Sequence, residues 1–452
     1  MPTSITTRPW RRALPALCLL ALSSPLLAAE FIINTTADAP DTNPGDGQCT
    51  GFGLPPSARC SLRAAIMEAN AQGGTHLIGL PDGDYILDEA GIDEDQAVTG
   101  DLDIRADITI VNGSAALPFI GQQVGDRLFE VHPTASLTLQ HVGLGGGEAL
   151  NGARPFGGAV LVWYAADLRI ERSYLFGNRA SKGGAVHVWG DTSIVDSDLQ
   201  YNFLVDPAPD DDNQGSAIAV ERTIFAPAQL GLVRSSLSDN GEVEFNGNLV
   251  PNSYALLVED GAKAQIYNTS IIDNTRGIWV RSASQLDMGQ STIANNRSFG
   301  LRFDHNPDNP DPRLTVLFTV IAGNGGVAQC RSASAFFLNP NLTQLDVSDH
   351  ANAATDASCG FVGNSDVALD GWPFHPQPMQ HDLTRYYLPV PGRGLVDAGG
   401  PTCLGPNDQR NAPKPVNGSG QAQALCDIGA IEFDPQTDPG LPDQLLSDGF
   451  ED

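Results

Sequence analysis

With 452 residues carrying 54 acidic against 25 basic side chains, the chain has a formal charge of −29 and repels phosphate backbones, which excludes nucleic acid as a natural partner. Its 48 glycines and 32 prolines suit tight turns rather than a helical bundle, and 41% hydrophobic residues suffice for one continuous core.

In chain order, residues 1–29 read as a secretory leader. Arg8, Arg11 and Arg12 precede an apolar stretch from Leu14 to Leu27, followed by Ala28-Ala29. The stretch is too short and too interrupted by proline to span a membrane, and no apolar span follows Glu432, so no transmembrane anchor is expected. Cys18 leaves with the leader. Six cysteines remain as three local pairs, Cys49/Cys60, Cys330/Cys359 and Cys403/Cys426. An even count behind an export signal predicts disulfides, each stabilising by ~3 kcal/mol, and the absence of C-x-x-C argues against a metal site. All three pairs lie outside the repeats and are expected to staple the two ends. Cys60 to Asn70 is the one clear helix: Ser61 suits the N-cap, and Leu62, Ala65, Ile66 and Ala69 form one apolar stripe. A single amphipathic helix ahead of a repeat array predicts a lid over its open end.

A motif of Ser or Thr, four variable residues and Asn then returns six times: Ser173–Asn178, Ser197–Asn202, Ser235–Asn240, Thr269–Asn274, Ser291–Asn296 and Thr319–Asn324. An apolar residue precedes each Ser/Thr by three (Ile170, Ile194, Leu232, Ile266, Met288, Val316), and another follows by two (Leu175, Leu199, Leu237, Ile271, Ile293, Ile321). Such self-similarity marks a solenoid. A further strand follows Gly-Gly or a small pair, with alternating apolar columns Val160, Val186, Ile218, Leu256, Ile278, Leu301 and Val162, Val188, Val220, Val258, Val280, Phe303. The reading is two strands per coil of 22 to 38 residues, stacked in parallel as an all-β helix. Seven coils at ~4.8 Å each predict a rod core of roughly 34 Å. The Asn column is expected to be scaffold, tolerating left-handed turns and stacking amides from coil to coil; the Ser/Thr column is expected to be inward or turn-bonding.

The same register points two columns outward. One is Leu161, His187, Ala219, Leu257, Trp279, Arg302; the other is Trp163, Trp189, Glu221, Glu259, Arg281, Asp304. Flat aromatic faces beside fixed polar groups suit sugar rings, so His187, Trp279, Arg302 and the whole second column form the candidate ligand-binding face. Catalysis there would pair Glu221 with Glu259 as in a glycoside hydrolase, or use Arg281 and Arg302 as in a polysaccharide lyase; no motif marks an acid or a base, and no catalytic residue is assigned. Burial of the two tryptophans under the insertions after Tyr201 and Asn240 is the structural alternative. Asp38 to Asp46 and Asp206 to Asp212 offer oxygen ligands for Ca²⁺ without EF-type spacing, so no cofactor is assigned.

Cys60-Ser61-Leu62-Arg63-Ala64-Ala65, Leu80-Pro81-Asp82-Gly83-Asp84-Tyr85, Thr99-Gly100-Asp101-Leu102-Asp103-Ile104 and Asp126-Arg127-Leu128-Phe129 resemble the N-terminal CSLREA domain of exported bacterial β-helix proteins, with Ala64 where that family usually has Glu. Val396-Asp397-Ala398-Gly399, Asp408-Gln409-Arg410 and Cys426-Asp427-Ile428-Gly429-Ala430-Ile431-Glu432 resemble the choice-of-anchor Q type of C-terminal region. The Gly-Gly-Ala and Leu/Ile-x-x-Asn repeats are similar to polymorphic outer-membrane repeats. The resemblance implies a right-handed, pectin-lyase-like parallel β-helix and export, with no reaction; the paired-Asp, Gly-His-Gly and Arg-x-Lys signatures of β-helical polygalacturonases are missing. The expected organisation is a leader at 1–29, an N-terminal cap with first coils at 30–125, the β-helix at 126–330, a disulfide-stapled C-terminal cap at 331–433 and a Pro/Asp/Gly-rich tail at 434–452. The expected function is noncatalytic binding of polysaccharide or another cell surface outside the cell. A lyase or hydrolase and a passive rod are the alternatives.

Overall fold

The structure is a computed structural model that describes residues 29–206, 215–245, 247–281, 283–304, 312–326, 328–332, 351–361, 365–421 and 423–438. Its strands stack into three long parallel sheets of nine, ten and eleven strands, here called sheets 1, 2 and 3. The chain is a parallel β-helix. One coil runs through Val160–Val162 in sheet 1, Asp167–Glu171 in sheet 2 and Tyr174–Phe176 in sheet 3. The two predicted apolar columns stack as read, from Val160 against Val186 to Ile278 against Leu301, and face the central core.

Each coil has three main strands where two were expected. Ile170 lies in sheet 2 and Leu175 in sheet 3, so the Ser/Thr motif itself spans a corner. Only Arg172 and Ser173 separate the two strands, too short a gap to interrupt the apolar pattern. The rod is also longer than seven coils: ten strands in sheet 2 make it roughly 45 Å long. The extra coils come from residues 29–111, which lack the Ser–Asn motif.

Both motif positions build ladders. Each Asn side chain donates to the next, as from Asn178 to Asn202 at 3.0 Å and from Asn240 to Asn274 at 3.0 Å, until Asn324 donates to Gln329 at 2.8 Å. Ser173 donates its hydroxyl to the Glu171 carbonyl at 2.8 Å, and the Ser173 N–H donates to the Ser197 hydroxyl at 3.0 Å. The asparagines do not themselves take the left-handed turn. That conformation belongs to the residue before each Asn (Gly177, Tyr201, Asp239, Asp273, Asn295, Gly323) and before each Ser/Thr (Arg172, Asp196, Arg234, Asn268, Gln290, Phe318). A non-glycine left-handed residue costs ~1–2 kcal/mol. Ladder bonds of ~1 kcal/mol each offset it. The turn into sheet 1 does need glycine: Gly157 has φ +64°, and a Cβ there would lie 2.3 Å from the Val160 carbonyl oxygen.

The helix Leu62–Gln72 starts at Ser61, whose hydroxyl accepts the Ala64 N–H at 3.0 Å, and it packs on the first coils as a lid. Its predicted apolar stripe is buried, and so are Arg63 and Glu68.

All three disulfides join the expected partners, but only Cys49–Cys60, at the start of the lid, staples an end from outside the coils. The placing of Cys359 is corrected. Expected in a cap beyond the repeats, it is buried in the rod's own central core together with Cys330. The reason is the register of the last coil. Cys330–Ser332 is the final strand of sheet 1, paired with Leu301–Phe303, so the Cys330 side chain continues the inward column of Leu301. Cys359 ends the short 3-10 turn Ala357–Cys359, which packs on that strand, and the Ser358 hydroxyl accepts the Cys330 N–H at 2.9 Å. The bridge thus fills the core beside the last described strand of sheet 1. Cys403–Cys426 lies in neither end but within the C-terminal flank, with Cys426 fully buried.

That flank does more than close the rod's end. Ala353–Ala354 and Val367–Ala368 extend sheet 3, and the chain then folds back along that sheet's outer side. Tyr387 donates to Asp273 at 2.7 Å, Ser236 accepts the Arg385 N–H at 2.9 Å, Ser270 donates to Gln409 at 2.5 Å, and Thr292 accepts the Ala430 N–H at 3.0 Å. Ile272, Ala294, Val320 and Ala322 form an apolar strip beneath Phe374, Tyr387, Leu395 and Ile428. Regular structure is sparse in this flank, and buried carboxylates gather its backbone instead. Asp427 accepts the N–H groups of Asp397 and Phe433, Glu432 those of Val416 and Asp427, and Asp408 those of Arg410, Ala412 and Glu432.

Burial raises Asp427 and Glu432, which also repel each other, and pushes Asp198 beneath the flank up to about 7. A carboxyl raised on folding binds its proton more tightly in the native state. Its stabilisation is therefore full below about pH 4 and declines as pH rises through about 7. Amide exchange across 372–433 should be slower at pH 5 than at pH 8, after correction for intrinsic rates. Asp198→Asn should flatten that difference, and an opposite slope would contradict this account.

Candidate functional site

The predicted outward columns are in register, yet the face they form is largely buried. Leu161, Ala219 and Leu257 are covered, His187 is fully buried, and Trp279 is 3% exposed. His187 stacks on Phe156 at 5.0 Å, so a side chain of the turn leading into the coil covers it rather than a distant insertion. The insertion after Asn240 forms a hairpin, Glu242–Phe245 with Asn248–Pro251; part of that after Tyr201, with the Asp210–Asp212 acids, lies outside the described residues.

Every charged group in the columns has a partner. Lys182 lies 3.2 Å from Glu221 and is ion-paired with Glu259, which also takes Arg281 at 2.7 Å. Burial acts to lower Lys182, and the two carboxylates reverse this, leaving it raised. Burial lowers His187, 3.4 Å from Glu221. Burial acts to raise Glu221 as well, but its contacts with His187 and Lys182 hold it down at about 2. Trp279 donates to Asp304 at 2.7 Å beneath Arg302, whose guanidinium sits 4.0 Å from the ring centroid and also pairs with Asp304. A hydrolase pairing Glu221 with Glu259 needs one carboxyl able to give up a proton near neutrality, whereas Glu221 is held down by His187 and Lys182, and Glu259 is bridged by Lys182 and Arg281. Lys182 was legible: it precedes Gly183-Gly184 and is one of only three lysines.

The same face continues upstream, which sequence reasoning missed. Asp103 aligns with Glu130 and Glu130 with Leu161. Phe129 and Val131 carried the signal, since the alternation that buries them points Glu130 outward. Asp101, Asp103 and Glu130 stand close enough to hold a cation. Arg127 fills that role instead, 3.2 Å from Asp101 and 2.8 Å from Glu130, while His132 lies 2.6 Å from Asp103. Asp38, of the other acidic stretch, is held by Arg63 at 2.6 Å.

Trp163 and Trp189 are partly buried, Trp163 against the central core, with ring centroids 5.1 Å apart. They donate to Glu130 at 2.7 Å and to Glu221 at 3.3 Å. Both lie where sheet 1 turns into sheet 2. Tyr164 and Phe225 lie at the same turn with centroids 5.0 Å apart, Phe225 being 71% exposed. Beyond this aromatic ridge, the outer side of sheet 2 carries, in register, Thr138, Arg169, Ser193, Gly231 and Gln265, beside Ser136, Asp167, Asp191 and Gln229, polar throughout except at Gly231. They line a trough of about 380 Å³, shallowest in side chain at Gly231. Burial raises Asp191, and neighbouring Asp167 adds to it. A ridge of rings beside a trough of hydroxyls, amides and carboxylates can stack sugar rings and bond their hydroxyls at the repeat of the coils.

No protein-family model matches this chain, and comparison with curated proteins returns no match. No helix among the described residues is long and apolar enough to cross a membrane.

Proposed function

We propose that this is an exported, noncatalytic β-helix protein that binds polysaccharide along the outer side of sheet 2, in contact with the aromatic ridge of Tyr164, Phe225, Trp163 and Trp189. Export is supported by the leader-like residues 1–29 and by three disulfides, which persist in oxidising compartments. The CSLREA-like and choice-of-anchor-like motifs agree with it. The observation that carries the binding reading is the open polar trough beside the exposed Phe225 ring and the partly buried Tyr164 packed on it.

Retention on a polysaccharide array tests it, with Tyr164→Ala/Phe225→Ala as the informative variant because these rings pack on the surface. The wild type should be retained on at least one neutral glycan, and the folded variant should bind it about tenfold more weakly. Retention that the double variant leaves unchanged would remove the ridge, and no retention anywhere would leave a structural rod.

A further inference from the structure

Asp103 and His132 meet on the outer side of sheet 1, from neighbouring coils. Asp103 is aligned with Glu130, and His132 follows Glu130 by two residues, so the pleat turns all three the same way. The Asp103 side chain is wholly buried and that of His132 is 12% exposed, with Oδ1 and Nε2 2.6 Å apart. The loop ahead of Leu102–Ile104 carries Asp95 to this pair, and Asp103 fixes that loop by accepting the Ala97 N–H at 2.7 Å. One donor atom from each of Asp95, Asp103 and His132 lies within 4.8 Å of the other two.

The arginines nearby leave this site short of positive charge. Arg127 is taken up by Asp101 at 3.2 Å and Glu130 at 2.8 Å. Arg154 divides between Glu130 at 3.3 Å and one oxygen of Asp95 at 3.4 Å. Arg105 meets only the Asp95 backbone carbonyl. Asp126 joins no ion pair among the described residues; its oxygens accept the N–H groups of Arg127 and Asp101. With His132 neutral, Asp95, Asp101, Asp103, Asp126 and Glu130 therefore outnumber the three guanidiniums by two charges. A second observation is independent of that count. The Asp101 side chain is 4% exposed, yet among the described residues it accepts no hydrogen bond, and Arg127 approaches it off the axis of the Nε–H. A donor atom of this buried carboxylate lies within 4.8 Å of one on Asp103.

We propose that Asp95, Asp103 and His132 hold one divalent transition-metal ion of the Zn²⁺ class. Two carboxylate oxygens and an imidazole nitrogen are a three-ligand set with a fourth position open on the Asp95 side, and the ion takes the place of the proton between Asp103 and His132. Imidazole suits zinc and its neighbours, whereas Ca²⁺ and Mg²⁺ take oxygen ligands in larger number. Bound there, the ion supplies the missing charge and ties the Asp95 loop to the first two coils of sheet 1. The inference is independent of the polysaccharide reading.

Titration calorimetry of the chelator-treated full chain with Zn²⁺ tests the site, with Ca²⁺ and Mg²⁺ as comparisons. One Zn²⁺ per chain should bind, with Ca²⁺ about tenfold or more weaker. Asp95→Ala and His132→Gln should each weaken Zn²⁺ about tenfold or more. The Asp95 side chain is 51% exposed, so its variant should fold, and His132→Gln keeps a donor for Asp103. Amide exchange of residues 94–103 should slow with Zn²⁺ in the wild type and not in either variant. No Zn²⁺ binding would overturn the proposal. Zn²⁺ held equally by both variants would place the ion on other side chains and overturn it as well. Ca²⁺ binding as tightly as Zn²⁺ would remove His132 from the ligand set.

Discussion

Arg63→Ala should destabilise the N-terminal lid by on the order of 3–5 kcal/mol, because it strands a buried carboxylate. The Arg63 side chain is wholly buried and meets Asp38, 2% exposed, through Nε at 2.6 Å and Nη2 at 2.9 Å. Its remaining donors reach the carbonyls of Ala97 at 3.0 Å, Gly100 at 2.8 Å and Asp101 at 3.2 Å. One side chain thereby ties the helix to the leading segment and to the loop ahead of the first sheet 1 strand. Asp38 also accepts the N–H groups of Asp88 and Glu89. Lysine cannot reproduce a planar fork with five donors, so Arg63→Lys should lose most of the same energy. Adding Asp38→Asn to Arg63→Ala should recover part of it by removing the stranded charge. Since a solenoid opens coil by coil, exchange of the 97–101 amides is the measurement, with urea unfolding beside it. A loss below ~1 kcal/mol would show that water reaches Asp38 and that the pair is not buried in solution.

Breaking the asparagine ladder in mid-rod should cost about as much. Asn240 donates from its side chain to the carbonyls of Leu199 at 2.8 Å and Ser238 at 2.9 Å, and to the Asn274 amide. Its Oδ1 accepts both the N–H and the side chain of Asn202, at 2.9 and 3.1 Å. Asn240→Ala leaves these groups buried without partners, at ~1–3 kcal/mol apiece before relaxation, for an expected loss of ~3 kcal/mol or more. Asn240→Asp keeps the shape yet aims a carboxylate at two carbonyls and another amide oxygen, and should be worse. Proteolysis should then cut near the 202–240 coils first. A variant as protease-resistant as the wild type would mean that sheet pairing alone holds adjacent coils.

The repeat was legible because its chemistry is local and periodic. Val160, Val186 and Ile218 must coincide for a common core to close, and a one-residue slip would turn every one of them outward. The ladder asparagines were legible for the same reason: an amide both donates and accepts, so it can stack on copies of itself. The third strand per coil was not, because a single left-handed residue such as Arg172 turns the corner without any glycine or proline to mark it. Buried Arg63 was equally hidden, since a helix pattern shows an apolar stripe and not the distant Asp38 that lets a cation lie beneath it. The pairing of Cys330 with Cys359 was legible from count and proximity, but its place inside the core was not, because Cys359 arrives there from a segment without the repeat.

Exposure was the larger gap. The outward columns were placed in register correctly, but Phe156 and Lys182 cover His187 and Glu259, and the flank covers sheet 3. A signal for the flank existed: past Asp198 and Gln200, the outward positions of sheet 3 change to Ser236, Ser270 and Thr292, then to Ile272, Ala294 and Ala322. Small and apolar outward residues need a cover. Which segment supplies it cannot be read from a repeat, because Gln409 reaches Ser270 across 139 residues of unrelated sequence. Stacking order follows from short-range periodic burial and was written in the chain. Which faces stay open follows from where non-repeating segments come to rest, a long-range packing outcome that appears only once the chain has folded.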